Sequence, residues 1–185
     1  ALARLGLAAV AGEGLDVIVG GLGLGYTART VLEDTRVRSL HVVDALAAVI
    51  GWHERHLVPL GAGLTGDPRC HLVHGDFFRL ATTGLRVAGD EDALVDAILV
   101  DIDHSPTHLL DPSHAGFYEP DGLRRLLAHL HPGGVFALWS NDPPDDGFTT
   151  PLRSVFADVE AHVVTFANFL IDGDSSSTIY VARAA

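Results

Sequence analysis

The chain has 185 residues, of which 48% are hydrophobic, a composition that excludes a disordered protein and allows one domain with a substantial core. Its net charge of −12 argues against a nucleic-acid partner, because binding to a phosphate backbone requires a basic face. The sequence contains no lysine, which excludes a phosphate-loop lysine or a lysine Schiff base, and its single cysteine, Cys70, excludes an intramolecular disulfide.

The chain begins with an apolar stretch, residues 1–11, that has the character of a helix. It lacks the basic start and the cleavage pattern of a signal peptide, and no apolar run reaches membrane-spanning length, so we expect a cytoplasmic protein without a membrane partner. We expect residues 1–185 to form a single nucleoside-binding domain. Because the chain has no methionine and opens inside a helix, we also expect that the natural protein has an upstream segment.

Apolar runs alternate with segments of helical periodicity along the chain. Strands are predicted at Val17–Val19, Leu40–Val43, His71–Val73, Ala97–Val100, Val135–Leu138, His162–Thr165 and Thr178–Ala182, and helices at Thr27–Glu33, Ala45–His56 and Gly122–His129. Continuous apolar strands separated by helices indicate a parallel sheet that is covered on both faces. We therefore predict an α/β fold, Rossmann-like and doubly wound, with a mostly parallel seven-stranded sheet and an antiparallel C-terminal hairpin.

A glycine loop follows the first predicted strand. Gly20, Gly21, Gly23 and Gly25 stand between this strand and the next predicted helix. Glycine adopts positive φ angles and lets a ligand approach the backbone closely, so the loop is where a nucleotide-like cofactor would bind. Taken alone the pattern is weak evidence, because such glycines also form ordinary tight turns.

Acidic residues stand where the next three predicted strands end. Asp44 follows the loop by about 20 residues, the position from which a carboxylate binds ribose hydroxyls. Asp76, next to Phe77, could accept a hydrogen bond from an adenine amino group while the Phe77 ring covers the base. Asp101 ends the fourth strand. Each aspartate could instead cap a helix, but together behind a glycine loop they favour cofactor binding.

This order of residues resembles the class I S-adenosylmethionine-dependent methyltransferase fold and, within it, the polyamine aminopropyltransferases, which are spermidine synthase-like proteins. The resemblance extends from Asp16 to Ala182. The glycine loop is in register with that family's glycine-rich loop, Asp44 matches its strand-two acid, and Gly75-Asp76 matches its adenine contact.

Three further segments carry the same resemblance. Asp101–Pro106 lies where the family has its catalytic aspartate segment, and Phe117-Tyr118 and Leu130–Gly134 match later family motifs. Typical methyltransferases have an acidic residue at the position of Val19. The valine in place of this acidic residue favours the aminopropyltransferase branch of the fold.

The resemblance implies a transferase of polyamine biosynthesis. The donor would be S-adenosylmethionine or decarboxylated S-adenosylmethionine, the acceptor a small cationic amine, and no metal is expected. Asp101 is our candidate for the carboxylate that takes the proton of the amine. Asp103 and His104 would orient the amine, and Tyr118 would form a pocket wall. The apolar N-terminal segment and the terminal hairpin would allow a homodimer.

The chain departs from the family at two positions. Gly23 stands where the family has the aspartate that holds the aminopropyl amine of the donor, and His104 stands where it has a second catalytic aspartate. A catalytically degenerate protein that keeps the nucleoside pocket is therefore an alternative hypothesis.

Two metal-dependent alternatives also fit the sequence. In a metal-dependent O-methyltransferase, Asp101 and Asn141-Asp142 would hold Mg²⁺, which prefers oxygen ligands and would lower the pKa of an acceptor hydroxyl. A transition-metal site would use Asp101, Asp103, His104 and His108, although Pro106 interrupts a regular helix between the two histidines.

Overall fold

The computed structural model of the chain describes residues 1–85, 94–168 and 173–185. Within these residues the chain forms one seven-stranded sheet, and each predicted apolar run lies inside one of its strands. The strands are β1 (Leu15–Gly20), β2 (Val37–Asp44), β3 (Cys70–His74), β4 (Val95–Val100), β5 (Leu130–Ser140), β6 (Asp158–Asn168) and β7 (Gly173–Arg183).

The strand order in the sheet is β3-β2-β1-β4-β5-β7-β6. Strands β1 to β5 are parallel to one another, whereas β7 runs antiparallel to both β5 and β6. The predicted mostly parallel sheet with an antiparallel C-terminal hairpin is therefore confirmed. Because the chain leaves β1 toward β2 and later returns on the other side of β1 to form β4, a crevice opens beyond the carboxyl ends of β1 and β4.

Helices cover both faces of the sheet. Those in the described part of the chain are α1 (Leu2–Ala8), α2 (Tyr26–Leu32), α3 (Ala47–Glu54), α4 (Gly61–Thr65), α5 (Phe77–Thr83), α6 (Ala115–Tyr118), α7 (Pro120–Leu127) and α8 (Asp146–Arg153), with a 3₁₀ turn at Pro112–His114. The predicted N-terminal helix and the three other predicted helices correspond to α1, α2, α3 and α7. Among the described residues, every helix is too short or too polar to cross a membrane.

The central strand β1 separates two hydrophobic cores. Val17 and Val19 pack into the core formed with α1 to α4, while Ile18 packs into the core formed with α5, α7 and α8. This follows from strand geometry, in which successive side chains point to opposite faces. Burial on both faces explains why β1 and β4 are continuously apolar in sequence rather than alternating.

Helices α4, α5, α6 and α8 were not predicted from the sequence. Helix α4 has only five residues, and α8 contains Pro151, which normally argues against a helix interior. Helices α5 and α8 both begin at an aspartate, Asp76 and Asp145, whose side chain accepts a hydrogen bond from a backbone amide of the first turn.

Candidate functional site

A cavity of about 430 Å³ opens beyond the carboxyl ends of β1, β2 and β4. Its volume lies in the range of small-molecule sites. Of the predicted site residues, Gly21, Gly23, Asp44, Asp76, Phe77 and Asp101 form part of its wall, while Gly20, Gly25, Asp103, His104 and Tyr118 do not. The topology of the sheet thus brings the glycine loop and three strand-end carboxylates together.

Backbone geometry requires glycine at position 21. The φ angle of Gly21 is +96°, and a Cβ at this position would overlap with the carbonyl oxygen of Asp101. The Gly21 amide donates to the carbonyl of Val43 at 2.9 Å, and the Asp101 amide donates to the carbonyl of Gly20 at 2.9 Å. The loop therefore lies directly against the first residue after β4.

The other two glycines of the loop are constrained differently. At Gly25, where φ is +89°, a Cβ would lie 2.6 Å from the Leu64 side chain and 2.9 Å from the His53 ring. At Gly23, where φ is +46°, a Cβ would point into open space. The Gly23 carbonyl accepts a hydrogen bond from Nε2 of the buried His53 at 3.0 Å. Close packing against Leu64 and His53 requires glycine at position 25. At position 23 only the positive φ angle favours glycine.

The Asp44 carboxylate holds the glycine loop in place. Its Oδ2 accepts from the Leu22 amide at 2.9 Å, and its Oδ1 accepts from the Leu46 amide at 2.8 Å. The sequence analysis did not predict this anchoring role. Each carboxylate oxygen has a further lone pair, so Asp44 can still accept hydrogen bonds from ribose hydroxyls in the cavity. The contact with ribose stays a prediction.

Asp76 and Phe77 have structural roles beside the predicted ones. The Asp76 carboxylate caps α5 by accepting from the Arg79 amide at 3.1 Å, which is the helix-cap interpretation considered for this residue. Phe77 is only 2% exposed and packs beneath Gly20, where an added Cβ would lie 2.8 Å from the ring. Phe77 therefore belongs to the core, and little of its ring is available to cover a base.

Asp101, directly after β4, lines the cavity and is accessible to solvent through it, although protein atoms surround its carboxylate on the other sides. The hydroxyl of Thr27 donates to its Oδ2 at 3.0 Å. Protein atoms crowd the carboxylate, and this desolvation raises the pKa of Asp101 above its ordinary value of 3.8, while the Thr27 hydrogen bond partly offsets the rise. A carboxylate with a raised pKa is a better proton acceptor, which suits the predicted role.

A second cavity of about 300 Å³ reaches Asp101 from the side of α2. Its wall includes Tyr26, Thr30 and Trp139. Aromatic rings near a carboxylate attract an alkylammonium group through cation–π and Coulomb interactions. Asp101 is common to both cavities, so a group bound in one can meet a group bound in the other at this carboxylate.

The Asp103 carboxylate is the centre of a buried hydrogen-bond cluster. It accepts from the Leu110 amide at 2.8 Å, from Nδ1 of His114 at 2.9 Å and from the Tyr118 hydroxyl at 2.9 Å. Burial, and then the charge of Asp103, raise the pKa of Tyr118, so its hydroxyl stays protonated and donates. We name Asp103, Leu110, His114 and Tyr118 the Asp103 cluster. It fixes the segment after β4 instead of presenting Asp103 and Tyr118 to the cavity.

His104 is exposed and lies beside the residues that follow β5. The Asn141 amide donates to the His104 carbonyl at 2.7 Å, and Trp139 Nε1 donates to the Asn141 side-chain oxygen at 2.8 Å. Hydrogen bonds from Ser105 and from His108, whose Nδ1 lies 2.9 Å from the Asp142 carboxylate, lower the pKa of Asp142. The oxygen ligands proposed for Mg²⁺ at Asn141 and Asp142 are thus engaged with protein donors. Within residues 1–85, 94–168 and 173–185, no group of three or more His, Cys, Asp or Glu residues is arranged to hold a metal ion.

The sequence analysis missed several residues of the cavity wall, among them Phe78, Leu110 and His114. The Phe78 and His114 rings are stacked with their centroids 3.8 Å apart. Phe78 could have been predicted from the sequence, because it follows Phe77 in the first turn of a helix that Asp76 caps. Leu110 and His114 come from a segment without a periodic pattern, and only the contacts with Asp103 bring them to the cavity.

No protein-family model matches the chain. Among curated proteins, it is similar to polyamine aminopropyltransferase 2 of Pseudomonas aeruginosa, with 32% identity over 168 residues that cover 85% of this chain and 44% of the relative. It is also similar to the polyamine aminopropyltransferase of Aeropyrum pernix, with 26% identity over 176 residues that cover 92% of this chain and 52% of the relative. The chain spans about half the length of the curated relatives it matches. The predicted resemblance to this family is confirmed.

Solved structures show the same fold. Spermidine synthase from Thermotoga maritima matches with a TM-score of 0.73 and 17% identity, covering 100% of this chain and 57% of that one. A spermidine synthase in complex with the transition-state analogue AdoDATO matches with a TM-score of 0.74 and 19% identity, covering 100% and 59%. Human methyltransferase-like protein 13 in complex with SAH matches with a TM-score of 0.68 and 18% identity, covering 100% and 77%. The predicted class I methyltransferase fold is therefore confirmed.

Proposed function

We propose that this chain binds an adenosyl-sulfonium donor in the larger cavity and transfers an aminopropyl group from it to a small amine. The observation that carries the proposal is Asp101, a carboxylate with a raised pKa that is shared by the two cavities. The sequence similarity to polyamine aminopropyltransferases supports the type of reaction. Neighbouring folds solved with AdoDATO and SAH support an adenosyl-sulfur ligand.

The larger cavity has the groups that such a donor requires. At Gly23, where an added Cβ would meet nothing within 4 Å, the backbone is open to the cavity, so the ribose and the sulfonium can approach it closely. In this proposal Asp44 accepts hydrogen bonds from the ribose hydroxyls and Asp76 faces the base. Decarboxylated S-adenosylmethionine is our preferred donor, and S-adenosylmethionine itself is the second choice.

In the reaction that we propose, a neutral amine attacks the carbon next to the sulfonium from the opposite side. A C–N bond forms, a C–S bond breaks, and the sulfur leaves as a neutral thioether, 5′-methylthioadenosine. Asp101 accepts the proton that the amine loses. Holding donor and acceptor in reacting geometry supplies most of the acceleration. An acidic protein with net charge −12 attracts a cationic amine by its overall field.

The remaining predicted residues have indirect roles in this proposal. Asp103 and Tyr118 position the segment after β4, and His104 holds the ends of β4 and β5 together through its carbonyl. None of them needs to touch the amine. We also propose that the protein is cytoplasmic and acts in polyamine biosynthesis. A homodimer stays a prediction, which size-exclusion chromatography with light scattering would test.

A parallel assay with two donors tests the proposal. Decarboxylated S-adenosylmethionine and S-adenosylmethionine are each incubated with aliphatic diamines, once with Mg²⁺ and once with EDTA, and products are identified by mass spectrometry. We expect aminopropyl transfer that EDTA does not affect. Methyl transfer that requires Mg²⁺ would favour the O-methyltransferase alternative. Tight calorimetric binding of 5′-methylthioadenosine without any transfer would favour the degenerate nucleoside-binding protein.

A further inference from the structure

The Asp103 cluster fixes the orientation and the tautomer of His114. The backbone amide of Leu110 can only donate, and it donates to Oδ1 of Asp103, while the Tyr118 hydroxyl donates to Oδ2. Nδ1 of His114 lies 2.9 Å from Oδ1 and 3.1 Å from Oδ2 of the same carboxylate. A carboxylate that faces a ring nitrogen accepts its proton in a hydrogen bond, so Nδ1 is the protonated nitrogen.

The other ring nitrogen of His114 is then an acceptor at the cavity. In a neutral imidazole that carries its proton on Nδ1, Nε2 presents a lone pair. The His114 side chain is 14% exposed, one ring face is stacked on Phe78, and the residue belongs to the cavity wall. Within the described residues Nε2 has no hydrogen-bond partner and is not sealed from solvent. A histidine of the cavity wall thus carries a fixed acceptor without a protein partner among the described residues, and its ring is stacked on Phe78.

We propose that His114 reads the base of the bound nucleoside: its Nε2 accepts a hydrogen bond from an exocyclic amino group, so the cavity selects a 6-aminopurine over a 6-oxopurine. This inference rests on the proposed function, which assigns an adenosine-containing donor to the cavity. A 6-oxopurine presents an acceptor oxygen at the same position, and two acceptors that face each other cannot form a hydrogen bond. Asp103 is a positioning residue in this scheme, because it selects the tautomer without touching the base.

The sequence motif assigns the amino group to Asp76, but His114 is better prepared for this contact. One oxygen of Asp76 already accepts from the Arg79 amide to cap α5, and the side chain is exposed to solvent. His114 is held by Asp103 on one edge and by Phe78 on one face. A preorganised acceptor loses little freedom on binding, so it discriminates more strongly between bases.

Calorimetry with two nucleosides on the unaltered chain tests the inference first. Binding of 5′-methylthioadenosine is compared with binding of 5′-methylthioinosine under identical buffer conditions. We expect the amino compound to bind about 10-fold to 100-fold more tightly, the range for a polar contact that one ligand makes and the other leaves unpaired.

Two variants separate recognition from a merely structural role. His114→Phe keeps a ring for stacking on Phe78 and removes the acceptor, so we expect affinity for 5′-methylthioadenosine to fall about tenfold and affinity for 5′-methylthioinosine to stay within about twofold. In Asp103→Asn, an amide that keeps its oxygen on the Leu110 amide places its NH₂ group at the Oδ2 position, 3.1 Å from Nδ1 of His114, where an N–H competes to donate to this nitrogen. A carboxylate then no longer holds the proton on Nδ1, so we expect the preference for the 6-aminopurine to weaken.

The outcomes distinguish this inference from the proposed function. Equal affinity of the unaltered chain for both nucleosides would overturn the role of His114 and leave the donor cavity intact. An equal loss for both nucleosides in His114→Phe and Asp103→Asn would also overturn it, because a structural defect does not discriminate between bases. Failure of the chain to bind either nucleoside would overturn the proposed function together with the inference.

Discussion

The two walls of the larger cavity are built in different ways. The glycine loop after β1, residues 20–25, takes its shape from positive φ angles and backbone hydrogen bonds, with Asp44 and His53 as side-chain supports. Gly21 fits against Asp101 only because it lacks a side chain. The segment after β4, residues 101–118, is held by side chains that converge on the buried carboxylate of Asp103. A wall set by backbone conformation is visible as a run of glycines in the sequence, whereas the contacts within a wall set by distant side chains have no regular spacing there.

Breaking the glycine loop should have the largest effect on binding. In Gly21→Ala, the new Cβ overlaps with the Asp101 carbonyl and must displace the loop from β4, so we expect affinity for 5′-methylthioadenosine to fall by about 100-fold or more. Gly23→Ala is the matched control, because its Cβ points into open space and only the positive φ disfavours it. We expect the control to lose about 1 kcal/mol of stability and little affinity. Similar calorimetric losses in both variants would mean that overlap with Asp101 does not define this wall.

Removal of the Asp103 carboxylate should mainly lower the stability of the fold, in contrast to the loss of binding expected for Gly21→Ala. In Asp103→Ala, the Leu110 amide, His114 and the Tyr118 hydroxyl all lose their acceptor, and we expect the free energy of unfolding to fall by about 3 kcal/mol. Tyr118→Phe removes a single donor and should cost about 1 kcal/mol. Urea denaturation measures both. An unchanged midpoint for Asp103→Ala would show that the cluster does not hold the segment after β4.

A carboxylate added to the glycine loop should reveal whether the donor's ammonium group binds beside this loop. Gly23→Asp directs a side chain into open space, and aspartate tolerates the left-handed conformation better than most residues. If the donor carries an aminopropyl ammonium, the new charge should increase affinity for decarboxylated S-adenosylmethionine by up to about tenfold relative to 5′-methylthioadenosine. Competition binding at low salt measures this ratio. An unchanged ratio would indicate that the ammonium group binds elsewhere.

The smallest expected effect is a change in stability with pH that comes from His41, a residue outside both cavity walls. Burial, and then repulsion from His71, lower the pKa of His41 below its ordinary value of 6.5. The unfolded chain therefore binds more protons than the folded chain as the pH falls through about 6.5, so stability is complete above this pH and declines below it. Thermal denaturation from about pH 8 to about pH 5 should show this decline, and His41→Gln should reduce its slope. An identical slope in the variant would assign the decline to other groups.

The parts that could be predicted from sequence are those in which local chemistry determines the structure. Buried parallel strands need continuous apolar runs, the strand ends present Asp44 and Asp101 to the crevice, and the loop beside them requires glycine. The partners of Asp103 lie 7, 11 and 15 residues away with no regular period, so the spacing did not predict their hydrogen bonds, although the family resemblance placed Asp103 and Tyr118 in one site. For the same reason His53, which supports the Gly23 carbonyl from 30 positions away, was not predicted.

The comparison also explains why Asp101 differs from the other aspartates near the cavity. Asp44 and Asp76 each accept hydrogen bonds from backbone amides, and Asp103 is fully engaged within its cluster. Asp101 has one hydroxyl partner, Thr27, and remains exposed to both cavities. Of these four carboxylates it is the one best placed to exchange a proton with a bound substrate.

Asp101→Asn, with turnover and binding measured on the same preparation, is therefore the decisive test of whether Asp101 accepts the proton of the amine. An amide can still accept from Thr27 but cannot take a proton, so we expect aminopropyl transfer to fall about 10²-fold to 10⁴-fold while the Kd for 5′-methylthioadenosine changes less than about twofold. The melting temperature at neutral pH should not fall, because the raised pKa of Asp101 means that the fold disfavours its charged form. A parallel loss of binding and transfer, or full transfer activity in the variant, would contradict the role of Asp101.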